Sequence, residues 1–376
     1  MKNIIYFISS IIIISFSSCG GGSENGKQKS VINISIDSAM VDAKGEIIDT
    51  KYGLQSFDFD DENNFMFKFN TNNRHGLEII DMNKMELVDF IPFEIEGPNG
   101  TGSNVSNVKF VTTNKIAIQN SKDILLFDYN AELINQYEIA NNQFKGDSMP
   151  AGYRMETTGL FVPSKKTSIN LVNKVFSYLR GFAKLDLKKN TREIYWMDDL
   201  KQLDAYRVSL TTGGSVMNIR TKVYSLFNDN KYIMCNDMLN ELHYYDMQLD
   251  SVIHKTYHSQ LSGNKNEIAG KIEVESMEEL GRIMSSRKKS NSFGEIVYDK
   301  TRKQYYRFSS FSTTPDQEEE NWNIILTIFD ENLNQIHEIG NIELDKVPET
   351  YFVKDGKIYI YKNMEDEMGF VIISLN

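Results

Sequence analysis

Cysteine is almost missing from this 376-residue chain, which has only Cys19 and Cys235. A disulfide-stapled scaffold is therefore excluded, and so are zinc folds built on cysteine pairs. Proline is scarce, at six residues, which excludes a collagen-like repeat or a long proline-rich linker. Basic residues are outnumbered, 41 against 52 acidic, for a formal charge of −11. Such a balance argues against nucleic acid or anionic lipid as the main partner. Beyond the N-terminus no apolar run approaches the length of a membrane span. A Gly-x-Ser-x-Gly elbow, an HExxH pair and a P-loop are all lacking.

What is present begins with a leader. Lys2 precedes an apolar stretch from Ile4 to Phe16, too short for a comfortable span and suited to a signal-peptide core. Phe16-Ser-Ser-Cys19 follows, small residues just before a cysteine, and resembles the lipobox of bacterial lipoproteins. The expectation is a signal peptide over 1–18, lipid on Cys19 as the sole covalent group and no other cofactor. Residues 19–30, with Gly20-Gly-Gly-Ser23, read as a flexible tether, and 31–376 as one domain. Loss of Lys2 with the leader leaves 40 basic against 52 acidic residues, a charge of −12. With Cys19 acylated, Cys235 has no partner and is expected to pack as a small hydrophobe within Lys231-Tyr-Ile-Met-Cys-Asn236.

From residue 31 onward, short apolar runs rich in aromatic and β-branched residues alternate with Asp, Asn, Gly and Lys, a strand-and-turn pattern. One unit recurs: an apolar strand ending in an aspartate, a polar turn, then another strand. Its aspartates are Asp81, Asp128, Asp186, Asp246 and Asp330, and the turn suits a hairpin. Strands in fours are predicted over 56–93 and 108–139, less clearly over 159–197, then over 223–258 and 293–342. Residues 351–375 supply three strands, and the run at 31–36 is expected to complete them. Repeats of this length with four strands each predict an all-β chain, a β-propeller of six four-stranded blades, with one short helical insertion. Seven blades, or an open β-sandwich, are the alternatives.

Connections at 94–107, 141–158, 198–221 and 259–292 are long, and in a propeller all of them emerge on one face, the expected binding surface. Within the first, Glu96-Gly-Pro-Asn-Gly-Thr-Gly102 reads as a turn-rich connector or as backbone able to approach a ligand. In the last, Ser276-Met-Glu-Glu279 is a capping-box pattern followed by the apolar stripe Met277, Leu280, Ile283 and Met284, with Arg287-Lys-Lys289 at the end. A short helix lying on the domain is expected, with a lid over the channel as the sharper alternative. Candidate contacts on this face are Glu96, Asn99, Tyr153, Arg154, Tyr206 and Arg207, since Tyr and Arg are favoured at binding hot spots.

No metal site is expected. His254 and His258 share a strand face but stand some 13 Å apart at about 3.3 Å per residue. Asp58, Asp60 and Glu62 alternate like a calcium loop, yet Asn63 stands where such a loop has glycine. The runs Glu318-Glu-Glu320 and Glu365-Asp-Glu367 read as solvated charge.

Five strings taken together carry a resemblance: Phe93-Glu-Ile-Glu-Gly-Pro-Asn-Gly-Thr-Gly102, Tyr306-Arg-Phe-Ser-Ser310, Phe329-Asp-Glu-Asn-Leu-Asn334, Val353-Lys-Asp-Gly-Lys-Ile-Tyr-Ile-Tyr361 and Met364-Glu-Asp-Glu-Met-Gly-Phe370. In this the chain resembles a lipoprotein family of Bacteroidota, domain of unknown function 4221. The resemblance implies an anchored propeller related to six-bladed NHL-like or TolB-like domains, and brings no reaction, cofactor or catalytic residue. The functional expectation is a monomeric cell-envelope lipoprotein that binds an envelope protein or a glycan through one face. It would touch the membrane through its lipid alone, at the outer membrane rather than the inner, and have no nucleic-acid partner. The rivals are a carbohydrate-active enzyme with carboxyls at the channel mouth and a structural envelope component.

Overall fold

The computed structural model describes residues 32–60, 62, 64–140, 144–175, 179–270, 272–314 and 321–376. Cys19, the leader, the tether and the run at 318–320 lie outside the described residues, and no helix among those described is long and apolar enough to cross a membrane. Among the described residues the chain is all-β apart from α1 (Met277–Lys289) and two 3-10 segments.

Strands pair almost entirely with their sequence neighbours. Sheet I holds Phe57–Asp60, Phe65–Asn70, Gly76–Asp81 and Glu86–Pro92; sheet II holds Val105–Thr112, Lys115–Asn120, Asp123–Asp128 and Leu133–Glu138. Sheet III is built on Thr167–Lys174, Leu179–Asp186 and Thr191–Trp196. Its first strand pairs with both Tyr153–Met155 and Leu160–Val162, and Lys145–Gly146 runs parallel to its last. Sheet IV comprises Val223–Asn228, Lys231–Asn236, Glu241–Asp246 and Ser251–Thr256, and sheet V Ser292–Asp299, Gln304–Ser312, Trp322–Phe329 and Gln335–Ile339. In sheet VI, Tyr351–Lys354, Lys357–Met364 and Glu367–Leu375 are joined by the N-terminal strand Ile34–Met40, antiparallel from Ile34 opposite Leu375 to Met40 opposite Gly369. The borrowed strand expected at 31–36 is therefore present, shifted a few residues along the chain.

The recurrent aspartate has a local cause. Its Oδ1 accepts two main-chain N–H groups of the following turn: Asn83 and Lys84 at Asp81, Lys188 and Lys189 at Asp186, Gln248 and Leu249 at Asp246. Asp128 and Asp330 accept from residues two and four further on. Each turn also holds one left-handed residue: Met85, Ala131, Asn190, Asp250 and Leu333. The carboxylate organises the bend, and the positive φ returns the chain into the ladder.

Central strands lack polar alternation because both of their faces are covered. In Phe65–Asn70, Met66 packs in a cluster with Ile80, Tyr359 and Phe370 of sheets I and VI, whereas Phe67 and Phe69 join Val108, Ile116 and Phe127 of sheet II. The pattern continues with Ala117 and Ile124 against Val172 and Leu185, then Phe182 against Tyr232 and Tyr245. Ile233 and Cys235 meet Tyr305 and Phe329, and Tyr306 and Phe308 meet Ile358 and Ile373. Each cluster thus lies between consecutive sheets, and the sixth sheet shares one with the first. Cys235 is buried, as expected, and burial pushes its thiol up to about 11.

Two connections read as loops are structured. Residues 198–221 form a 3-10 segment, Asp198–Tyr206, and a hairpin, Val208–Thr212 with Ser215–Ile219, which joins Ile272–Val274 in a separate three-stranded sheet. α1 packs on this insertion through Leu280 and Ile283. Its N-cap is as expected, Ser276 Oγ accepting from Glu279 N at 3.1 Å, but Met277 and Met284 of the apolar stripe are exposed.

Candidate functional site

A cleft of about 470 Å³ opens where sheets IV, V and VI begin. Lys222 lies just before the first strand of sheet IV and Tyr224 within it, and Ser292, Phe293 and Gly294 come from the first strand of sheet V. Val347-Pro348-Glu349 leads into sheet VI, and Met284, Ser285, Arg287 and Lys288 of α1 form one wall. Across the mouth, Lys288 Nζ reaches Glu349 Oε1 at 3.7 Å, both largely exposed. A second hollow, about 90 Å³, lies at the opposite end of the same strands, lined by Phe59, Tyr298, Asp299 and Val353.

A β-bulge shapes the cleft floor. The pairing of Ser292–Asp299 with Gln304–Ser312 slips between Phe293 and Ile296, leaving Gly294 and Glu295 out of register, and bulges re-aim side chains in this way. Gly294 has no room for more than hydrogen, since a Cβ there would stand 2.7 Å from the Tyr351 hydroxyl. That hydroxyl donates to the Glu295 carbonyl and accepts from Phe308 N at 3.2 Å, while Glu295 Oε1 accepts from Tyr351 N at 3.2 Å.

Two carboxyls, Asp237 lining the cleft and Glu295 in the bulge beside it, are raised by burial. The Glu295 carboxyl is pushed up to about 7, with the Tyr351 N–H and Lys222 opposing the rise. Asp237, which lines the cleft and accepts from Lys222 N at 3.0 Å, is pushed up to about 6 by the same cause. Tyr224 is raised well above the ordinary tyrosine range, by burial first and then by Asp237, Cys235, Glu295 and Glu349. The cleft therefore joins apolar walls to groups that exchange a proton near neutrality, a combination that marks functional sites.

None of the candidate contacts lines this cleft. Tyr206 is 3% exposed and donates to the Asn266 carbonyl at 3.1 Å, so it is a packing residue rather than an exposed contact. Arg207 is half-buried beside it, its carbonyl accepting from Ile272 N. Asn99 Oδ1 accepts from Leu133 N at 3.0 Å and ties the 94–102 connector to the outer strand of sheet II. Glu96 is exposed on that connector, whose bends are closed by Gly100 N to Gly97 O and Gly102 N to Ile95 O. Tyr153 packs edge-on against Trp196 at 5.0 Å and Arg154 is exposed beside it. Asp58 accepts from Lys109 Nζ and Phe110 N, both at 2.8 Å. His254 pairs not with His258 but with His243, directly opposite it across sheet IV, and Asp199 lies against both rings.

A succession of small antiparallel sheets, packed face to face in chain order and decorated at one end, defines a propeller-like β protein. The chain belongs to the family described as Domain of unknown function (DUF4221), whose model matches residues 31–340. It is similar to the crystal structure of a member of that family from Bacteroides vulgatus, at 15% identity and a TM-score of 0.64 over 92% of this chain and 98% of that one. Weaker likenesses are to regucalcin, a calcium-binding protein from Agrobacterium tumefaciens (10% identity, TM-score 0.42, 85% of this chain and 88% of that one), and to the WD40 domain of Toxoplasma gondii coronin (8%, 0.44, 91% and 76%). No curated protein matches the chain.

Proposed function

We propose that this chain is a lipid-anchored cell-envelope protein, a six-bladed propeller whose cleft beside α1 binds an envelope protein or a glycan. Sheets I–VI are the blades, supported by the six interface clusters that lead from each sheet to the next and return to the first. Ile34–Met40 closes the ring by completing sheet VI, which removes an exposed edge. The leader supports lipid on Cys19, with several acyl chains giving a stable anchor. The place proposed for the chain is the outer membrane, on its periplasmic face or at the cell surface.

The observation that carries the binding role is the cleft itself, which combines Tyr224, Phe293 and Pro348 with Lys222, Lys288 and Asp237. Aromatic surface beside convergent polar groups suits a sugar ring or a peptide segment. The test is a crosslinking pull-down from native membranes with the lipidated chain, beside Cys19→Ala and Lys222→Ala/Lys288→Ala variants. A stoichiometric partner or glycan lost with the lysine pair supports the cleft. Loss with Tyr153→Ala/Arg154→Ala instead moves the contact to sheet III, and recovery of the bait alone counts against an interaction module. A second reading, a carbohydrate-active enzyme, is favoured by Asp237 and Glu295, since a carboxyl protonated near neutrality is what a general acid requires. Turnover of envelope glycans that disappears in Glu295→Gln would establish it.

A further inference from the structure

We infer that Asp199, His243 and His254 form a binding site for a divalent transition-metal ion of the zinc type, a clip fastening the Asp198–Tyr206 segment to sheet IV. The ligand atoms of the three residues lie within 4.8 Å of one another. Asp199 Oδ2 stands 2.6 Å from His243 Nε2 and 3.0 Å from His254 Nδ1. Two imidazole nitrogens and one carboxylate oxygen are the donor set that borderline first-row ions select, with a fourth position left to water.

The surroundings have the form that such sites require. His254 Nε2 faces Glu241 Oε2 at 3.0 Å, and Glu241 is buried. Gln202 Nε2 holds both Glu241 oxygens at 2.9 Å, so the carboxylate is fixed before it meets the histidine. A carboxylate on the far nitrogen of a ligating histidine sets its tautomer and raises its basicity. The register of sheet IV makes the arrangement: Asp246 faces Ser251 across the hairpin, and counting back along both strands brings His243 opposite His254.

Both nitrogens of His254 face carboxylate oxygens, Nδ1 that of Asp199 and Nε2 that of Glu241. An ion between Asp199 and the rings would take the place of the hydrogen bond on Nδ1 and leave the Nε2–H donating to Glu241. The two rings stack in parallel at 4.1 Å, 9° apart, and parallel imidazoles cannot both direct in-plane lone pairs at one ion. Capture therefore includes a tilt of His254, the exposed member on the edge strand, while His243 stays fixed in the interior.

The test uses the untagged lipidated chain in detergent, stripped with EDTA and titrated with zinc chloride by calorimetry. The expected result is one zinc per chain, with affinity reduced by more than about 100-fold in His254→Phe, which loses a ligand, and by about tenfold in Glu241→Gln, within the range for loss of a carboxylate support. His254→Phe keeps the ring stack, and Asp199→Asn keeps the size and hydrogen bonding of the side chain, so loss of binding in both with unchanged circular dichroism is loss of ligands, not of fold. His258→Ala should bind as the parent does. Zinc should also slow amide exchange over residues 198–206 in the parent and not in His254→Phe. Absence of zinc uptake overturns the inference, and so does uptake of equal affinity in the His254→Phe and Asp199→Asn variants.

Discussion

Replacing Glu295 with glutamine should remove a pH dependence of stability that the cleft builds in. In the folded protein burial holds this carboxyl at about 7, against an ordinary value of 4.5. Between those values the folded state binds a proton that the unfolded state does not. Stability therefore falls as pH rises from about 4.5 to about 7 and is level above that. The full gap is worth roughly 3 kcal/mol, and partial access of solvent to a half-buried side chain brings the expected loss to on the order of 2 kcal/mol. Glutamine carries no charge and its Oε1 can still accept from Tyr351 N, so the variant keeps the hydrogen bond without the slope. The assay is urea unfolding of both proteins at pH 5, 6, 7 and 8, read as the difference between them. Asp237, pushed up to about 6, titrates in both and cancels. Glu295→Gln should match the parent at pH 5 and exceed it by on the order of 2 kcal/mol at pH 8. Parallel curves would refute the reasoning, because they would mean that water in the cleft solvates the carboxylate at every pH.

Lys68→Met should cost about 3–5 kcal/mol, because it leaves Glu78 charged and fully buried with only Asn70 and the Asp49 N–H to hold it. Adding Glu78→Leu should recover most of the loss in urea unfolding, and a double variant no better than the single would contradict the assignment of the cost to the stranded charge. Deleting 34–40 should leave the chain folded in sheets I–V but uncover the Glu367–Leu375 edge. Light scattering should then show self-association, since an unpaired edge strand templates further pairing. A monodisperse deletion variant would show that Ile34–Met40 is dispensable for closure.

Much of the architecture was legible because its signals are local. The five hairpin aspartates act on N–H groups two to four residues away, so a single chain segment contains both the cause and its effect. The capping box at Ser276 is local in the same way. What escaped is non-local. The insertion sheet depends on Val208–Thr212 lying parallel to Ile272–Val274, a pairing that no adjacent residue announces, although Gly213-Gly214 between its first two strands is itself a hairpin signal. Sheet III was blurred because its first strand is flanked by two partners of three residues each. The cleft was invisible for a stronger reason: its lining comes from separate stretches between Lys222 and Glu349, none unusual alone. The candidate contacts were chosen as Tyr and Arg in loops, and Tyr206 shows the weakness of that choice, since a tyrosine near a strand entry also serves to fill a core. The histidine pair was readable in principle from the hairpin register, once His243 was weighed together with His254.

The treatment of buried charge distinguishes the cleft from the rest of the molecule. Sheets covered on both faces leave little room for ionised groups, and an unpaired one is costly. Among the described residues several are answered by a partner of opposite charge or a directed hydrogen bond: Lys68 with Glu78, Arg180 with Asp204, Asp299 with Arg302 and Tyr306, and Arg307 with Asn240 Oδ1 and the Glu241 carbonyl. At Asp237 and Glu295 the carboxylates accept from main-chain N–H groups, and Lys222 acts on both only through space. Their protons are retained toward neutrality for that reason. A ligand that brings hydrogen-bond acceptors or a positive group into the cleft would complete a pairing of the kind that Lys68 makes with Glu78 and Arg302 with Asp299. The same two carboxyls are therefore where binding and pH should be coupled: a cationic ligand should bind more tightly as pH rises through 6 to 7, and an acceptor-rich one less tightly.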